Sequence, residues 1–234
     1  MSTDDLDKYP EKDAASGPYK ALQVAAGALD MAVPLAGATA NAIISHFIAE
    51  PLQARRDEFF RRVADRLSAV EQAGHLKLED LRSNEEFISV VAEATVAATR
   101  THREEKREAL VNAAVNTATG MKLDDVLRNV FLRHIAEYSA LHIRVLRLLS
   151  SPEDSIEMVQ AAAEISMGAP RHVLNAALQG EDGAAVSRVL ADLANAGLAD
   201  TGSLAGMTRQ SAFLTKRTTD VGDAFLRFIG RTAD

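Results

Sequence analysis

The stretch that decides the fold is SNEEFISVVAEATVAATRTHREEKREALVNAAVNTATGMKLDDVLRNVFLRHIAEYSALHIRVLRLL, residues 83–149. Apolar side chains recur in it at intervals of three and four, which is the spacing of one face of an α-helix. It contains no proline and a single glycine, Gly120. The stretch therefore predicts amphipathic helices joined by short turns, which is the pattern of a helical bundle.

A helix is expected to start directly after Ser83, which forms a capping-box pattern with a glutamate three residues later. Thr101 and Glu104 form a second such pattern, so the chain either breaks there or continues as one helix. We favour one continuous helix, because neither glycine nor proline occurs from 84 to 119. Gly120 is the expected stop. The predicted inward face consists of Ile88, Val91, Thr95, Ala98, Leu110, Ala113, Ala114 and Thr117.

Further helices are expected on both sides of this one. Two shorter helices follow it, capped by Asp124 or Asp125 and by Ser139. An earlier helix runs from Pro51, a residue favoured in a first turn, to Gly74. The predicted buried positions of these helices are Leu52, Phe59, Phe60, Val63, Leu67 and Val70, then Leu127, Val130, Phe131, Ile135 and Tyr138, then Leu141, Val145, Leu148 and Leu149. Residues 51–150 are therefore assigned to a helical bundle.

Composition limits the class of function. The chain has 234 residues, a formal net charge of −7 and no cysteine. A net negative charge gives no overall attraction for nucleic acid or anionic lipid, and without cysteine there are no disulfides and no thiolate metal sites. Met1 to Pro18 carries no basic segment followed by an apolar core, so no signal peptide is predicted and we expect a cytoplasmic protein.

The N-terminal fifty residues divide into two segments. Residues 1–18 are polar and charged, which predicts a disordered tail. Residues 19–50 form a small-residue apolar helical segment, and we expect it to pack as helices rather than to span a membrane, because Asp30, Asn41 and His46 interrupt it. The alternative is a peripheral membrane-binding or pore-type hairpin at 21–49. Its predicted contacts with an anionic surface are Arg55, Arg56, Arg61 and Arg62.

Residues 151–234 have the element order of a winged helix. Three short helices are expected, the third capped at Asp182 or Gly183, then a strand at 212–216, and then a last helix capped at Thr219 or Asp220. The cations available to contact nucleic acid are Arg188, Arg209, Lys216 and Arg217. Because the segment is net acidic, we favour a structural or protein-contact module over a DNA reader.

No catalytic motif emerges from the sequence. None of the six histidines follows a glutamate at the spacing used by carboxylate di-metal bundles, and phosphate-binding glycine loops and nucleophile elbows are missing. We therefore predict no enzyme, no metal and no cofactor. His134, Glu137 and His142 lie close in sequence, but capped or surface histidines are the more frequent arrangement.

Several strings carry a family resemblance: P-L-x-x-R-R-D-E at Pro51–Glu58, T-H-x-E-E-K-x-E-A-L at Thr101–Leu110, and the asparagines of ALVNAAVN. They resemble a broad group of uncharacterised bacterial helical proteins, and distantly the abortive-infection alpha type of phage-defence protein, which also ends in a winged-helix-like segment. The resemblance implies a non-enzymatic role in defence or stress, with no functional residues attached. The leading hypothesis is a non-catalytic cytoplasmic interaction protein that binds a protein partner or itself. The alternatives are the membrane effector and a winged-helix DNA-binding regulator.

Overall fold

The computed structural model describes residues 48–231. The tail predicted for 1–18, and all but the end of the segment predicted for 19–50, lie outside the described residues. Residues 50–231 belong to one compact unit. None of its helices is both long enough and apolar enough to cross a membrane.

The first part of the described chain consists of helices joined by short turns. A 3-10 helix, Leu78–Ser83, joins the first two α-helices. The five α-helices are α1 (Glu50–Gln72), α2 (Glu85–Arg100), α3 (Glu104–Ala118), α4 (Asp125–Glu137) and α5 (Ala140–Ser150).

Shorter elements follow. They are α6 (Ile156–Glu164), β1 (Met167–Gly168), α7 (Pro170–Ala177), α8 (Gly183–Asn195), β2 (Thr208–Arg209) and α9 (Asp220–Ile229), with 3-10 turns at Pro152–Asp154, Gly202–Leu204 and Gln210–Ala212. The described chain is therefore mostly α-helical with one two-stranded sheet, which confirms the predicted fold class at that level.

Helix α3 is the centre of the packing. Every residue from Ala109 to Ala118 is buried, so this helix has no solvent-facing side over its last ten positions. A helix that is enclosed on all sides needs neighbours on all sides, and α1, α2, α4 and α9 supply them. Its alanines keep the helix thin, which lets these neighbours approach closely.

The helix predicted to run unbroken from 84 to 119 is interrupted at Thr101–Arg103, and that prediction was wrong. Thr101 adopts an extended backbone at φ −107° and ψ 139°. Its hydroxyl accepts a hydrogen bond from the Arg103 backbone N–H at 3.2 Å, and such a side-chain bond competes with the helical one. The break folds α2 back against α3, which a continuous helix could not do.

The start and face of α2 also differ from expectation. Asn84, not Ser83, is the N-cap, and its side chain accepts from the Phe87 N–H at 3.0 Å. Of the four predicted inward positions, Thr95 and Ala98 are buried, which confirms them, whereas Val91 is half-buried and Ile88 is 44 % exposed. In the first half of α2 the buried positions are Val90 and Ala94 instead.

Two buried asparagines of α3 hold the end of α9. The Asn112 side-chain amide donates to the carbonyl of Ile229 at 2.9 Å. The Asn116 amide donates to the carbonyls of Arg227, Phe228 and Gly230 at 2.9–3.0 Å. The last carbonyls of a helix have no partner within the helix, so these amides supply the donors that α9 lacks. The asparagines of ALVNAAVN are therefore a structural clamp.

The C-terminal segment contains less strand than its sequence suggested. Met167 pairs with Arg209 and Gly168 with Thr208 in an antiparallel ribbon, and Ala199 makes an isolated bridge to Thr218. The strand predicted at 212–216 was wrong. Phe213 in that stretch follows a 3-10 turn and is 1 % exposed, so its apolar character reflects burial of one ring and not sheet pairing.

A candidate anion-binding pocket

Two of the α1 arginines that we predicted to contact an anionic surface form ion pairs within the chain. Arg61 and Arg62 both bond to the Glu58 carboxylate, at 2.6 and 2.7 Å, and Arg62 also pairs with Glu104. Hydrogen bonds from Arg61 and Arg62 lower the pKa of Glu58 below its ordinary value of 4.5. The Arg62 hydrogen bond does the same for the pKa of Glu104. These carboxylates stay ionised and neutralise the two arginines.

The other two predicted contacts on α1 are also engaged. Arg55 donates to the carbonyl of Thr99 at 3.2 Å, and Arg56 lies 3.5 Å from the carboxylate of Asp57. A ligand would have to compete with these partners for each guanidinium. The densest group of arginines in the sequence is therefore a weak attractor for anions.

The C-terminal cations that we predicted to contact nucleic acid each have a different environment. Arg188 pairs with Asp192 at 2.9 Å, and Lys216 pairs with Asp223. Arg217 donates to backbone carbonyls, and burial lowers its pKa. Arg209 is exposed on β2. None of these four residues lines either of the two cavities described below.

Cations without a carboxylate partner meet instead at the turn between α2 and α3. A cavity of about 510 Å³ lies there, called here the turn pocket. Arg100 and Arg133 are exposed at this cavity and Lys106 is half-buried, and none of the three forms an ion pair within residues 48–231. The full lining is Glu93, Val96, Ala97, Arg100, Thr101, His102, Lys106, Leu132, Arg133 and Ala136.

Hydrogen bonds hold Lys106 and the turn at Thr101 in place around the turn pocket. The Lys106 Nζ donates to the carbonyl of Ala136 in the last turn of α4 at 2.6 Å, where the helix dipole favours a cation. Partial burial lowers the pKa of Lys106 below its ordinary value of 10.5. Thr101 is 8 % exposed, and its hydrogen bond to Arg103 holds the turn. An anion entering the pocket would meet a set of donors whose backbone is already ordered.

A larger cleft of about 1250 Å³ lies on the other side of the same turn, along α5. Its charges are mixed. Arg144 reaches the Glu181 carboxylate at 3.0 Å and the Ala177 carbonyl at 2.7 Å. Glu105, Glu137, Asp154 and Glu157 also line it. The cleft therefore has no preference for one sign of charge, which separates it from the turn pocket.

Three rings stack where α4 meets α5. Tyr138 lies between His134 and His142, with ring centroids 4.7 and 4.5 Å away. His142 accepts from the Ser139 N–H and approaches Asp192 at 3.4 Å. Neither ring nitrogen of His134 is bonded within residues 48–231. In this part of the chain no group of His, Asp and Glu side chains is placed to hold a metal ion.

We expect the stack to make the folded state acid-sensitive. Burial lowers the pKa of both His134 and His142 below the ordinary value of 6.5. The unfolded chain therefore takes up protons first, and stability is lost as the pH falls below about 6.5. The thermal midpoint should drop between pH 7.5 and 5.5, a window above the range in which carboxylates titrate.

His134→Phe keeps a ring between α4 and Tyr138 but cannot titrate, so its midpoint should fall less over this window. His75→Gln, at an exposed position, is the matched control and should keep the wild-type profile. If the thermal midpoints of His134→Phe and of the wild type fell equally between pH 7.5 and 5.5, His134 would not contribute to the acid sensitivity.

The residues of the turn pocket were missed in the sequence because they come from three helices. The string T-H-x-E-E-K contained part of the signal, since it places His102 and Lys106 beside a helix break. Nothing in the sequence around Arg133 indicated a site.

Compared with known proteins, the chain matches no family model, no curated protein and no solved structure.

Proposed function

We propose that this chain is a non-catalytic cytoplasmic interaction protein that binds an anionic partner at the turn pocket, in phage defence or a stress response. The observation that carries the proposal is the set of three cations, Arg100, Lys106 and Arg133, around one cavity with no carboxylate paired to them in the described chain. Unpaired surface cations in a concave site attract anions by charge and by hydrogen bonding. The family resemblance supplies the defence or stress role.

We further propose that the C-terminal segment is a winged helix used as a contact module. The succession of α6, β1, α7, α8, β2 and α9 supports it. The pairing of Arg188 and Lys216 with carboxylates disfavours DNA reading, because each phosphate contact needs an available cation. Duplex binding that is lost on Arg188→Ala would contradict this use.

The test of the whole proposal is a phage challenge of bacteria that express the chain. We expect protection by the wild-type chain and loss of protection on Arg100→Glu combined with Arg133→Glu. Arg82→Glu is the control, because Arg82 is exposed and precedes the N-terminus of α2, a helix about 24 Å long, whereas Arg100 is its last residue. Turnover of nucleotides by the purified protein would refute the non-catalytic assignment, and unchanged protection by the double variant would refute the role of the pocket.

A further inference from the structure

We infer that the ligand of the turn pocket is a phosphomonoester dianion carried on a small aliphatic group. The inference rests on the proposed function and specifies its anionic partner. Phosphomonoesters occur as free metabolites and as phosphoserine side chains, and both present the same dianion to the pocket.

The charge of the lining matches such a ligand. Arg100, Lys106 and Arg133 bring three formal positive charges, and Glu93 brings one negative charge. The formal balance of +2 is close to the charge of about −1.5 to −2 that a phosphomonoester carries at pH 7. Two guanidinium groups on one rim can each donate a pair of parallel N–H bonds to phosphate oxygens.

The size and the walls of the pocket limit what the phosphate is attached to. A volume of about 510 Å³ lies within the usual range for small-molecule sites, about 300–1,000 Å³. Val96, which is 50 % exposed, and Leu132 supply an aliphatic wall. The described lining contains no Phe, Tyr or Trp, and its one aromatic ring is that of the exposed His102, so a nucleobase would have a single small ring to stack on. The pocket therefore favours an aliphatic phosphate over a nucleotide.

The hydrogen bonds that hold the pocket lower the entropy cost of binding a ligand. Lys106 is tethered to the Ala136 carbonyl, and the turn at Thr101 is held by its own hydroxyl. Less side-chain and backbone freedom has to be lost when the ligand enters a site that is ordered in advance. Arg100 and Arg133 are exposed and without a carboxylate partner in the described chain, so both guanidinium groups are available to donate to the anion.

The experiment is calorimetric titration of the full chain at low ionic strength, where screening of surface charges is weak. The probes are glycerol 3-phosphate, a phosphoserine peptide with its unphosphorylated counterpart, succinate, and duplex DNA. We expect glycerol 3-phosphate to bind with a Kd on the order of 1 mM or tighter. Arg100→Gln and Arg133→Gln should each weaken this binding about tenfold, as expected when a charge-assisted hydrogen bond is lost. Arg82→Gln should leave it unchanged, and all three variants should keep the wild-type thermal midpoint.

The probes distinguish a free phosphomonoester from a phosphoserine side chain. They also distinguish a wrong ligand class from a wrong proposed function. Stronger binding of the phosphoserine peptide than of glycerol 3-phosphate identifies a protein source and supports the inference. Succinate binding as tightly as glycerol 3-phosphate overturns the phosphomonoester and leaves anion binding standing. If duplex DNA binds through Arg100 and the small phosphates do not bind, the phosphomonoester is likewise overturned and anion binding still stands. Binding that ignores both arginine variants, or no binding of any anion, overturns the inference and the proposed function together.

Discussion

Replacing Gly222 by alanine is expected to destabilise the protein by roughly 4 kcal/mol, at the upper end of single-residue effects. A Cβ at Gly222 would lie 2.0 Å from the carbonyl oxygen of Leu198 and 3.0 Å from its carbonyl carbon. Backbone atoms cannot rotate away as a side chain can. The clash is relieved only if the first turn of α9 moves off the 197–199 segment.

Movement of α9 would break several interactions at once. The Leu198 carbonyl accepts from the Thr219 N–H at 3.0 Å, and the Thr219 hydroxyl donates to the Gly197 carbonyl at 2.6 Å. Further along α9, Phe225 packs edge-on against Phe131 with ring centroids 5.2 Å apart. Because these contacts join α9 to the rest of the core, the loss should appear as a thermal midpoint lower by about 10 °C.

Gly183→Ala is the matched control for this glycine. A Cβ at Gly183 meets no atom within 4 Å, and the residue is the first of α8. Alanine there reduces the freedom of the unfolded chain, so the midpoint should stay the same or rise slightly. Equal losses for the two variants, measured by thermal or urea unfolding, would show that the close approach to Leu198 does not limit stability.

The second large effect is expected for Asn116→Ala, a loss of about 3 kcal/mol. Asn116 is 2 % exposed, and its amide is the donor to three carbonyls at the end of α9. Truncation would remove the amide donor from the buried bond to the Phe228 carbonyl, at a penalty of about 1–3 kcal/mol, and would weaken the partly buried bonds at Arg227 and Gly230. A cavity between α3 and α9 adds to the loss.

Asn116→Asp separates the hydrogen bonds from the packing. Aspartate has nearly the same shape, but its ionised carboxylate accepts only and would face three carbonyl oxygens. We expect it to destabilise at least as much as alanine at pH 7. Asn175→Ala, an exposed position of α7, should change the free energy of unfolding by less than about 0.5 kcal/mol. If Asn116→Ala behaved like Asn175→Ala in urea unfolding, the clamp would have no energetic role.

The helix ends show how far local sequence reasoning extends. Gly74 and Gly120 were expected to end helices, and each has a positive φ, which glycine adopts without steric penalty. Ser139 was expected as an N-cap and is one, and of the two candidates Thr219 and Asp220 the N-cap of α9 is Thr219. These features depend on a few adjacent residues, so they can be read without knowing the rest of the fold.

The break at Thr101 and the use of the asparagines were not predictable in the same way. A capping-box pattern at Thr101 allows a helix to stop, but the gain from stopping comes from packing α2 against α3. Asn112 and Asn116 looked like ordinary polar positions, because their partners on α9 lie more than a hundred residues away. Long-range partners leave no local pattern.

The spacing of apolar residues by itself determined that the chain is helical and approximately where its helices lie, because burial of a stripe depends on a period that is local in sequence. Only the tertiary structure decided which cations are available. Arg61 and Arg62 are neutralised by Glu58 and Glu104, whereas Arg100 and Arg133 are left without carboxylate partners in the described chain. The physical reason is that ion pairing depends on which helix surfaces approach each other, and the packing around α3 sets those approaches.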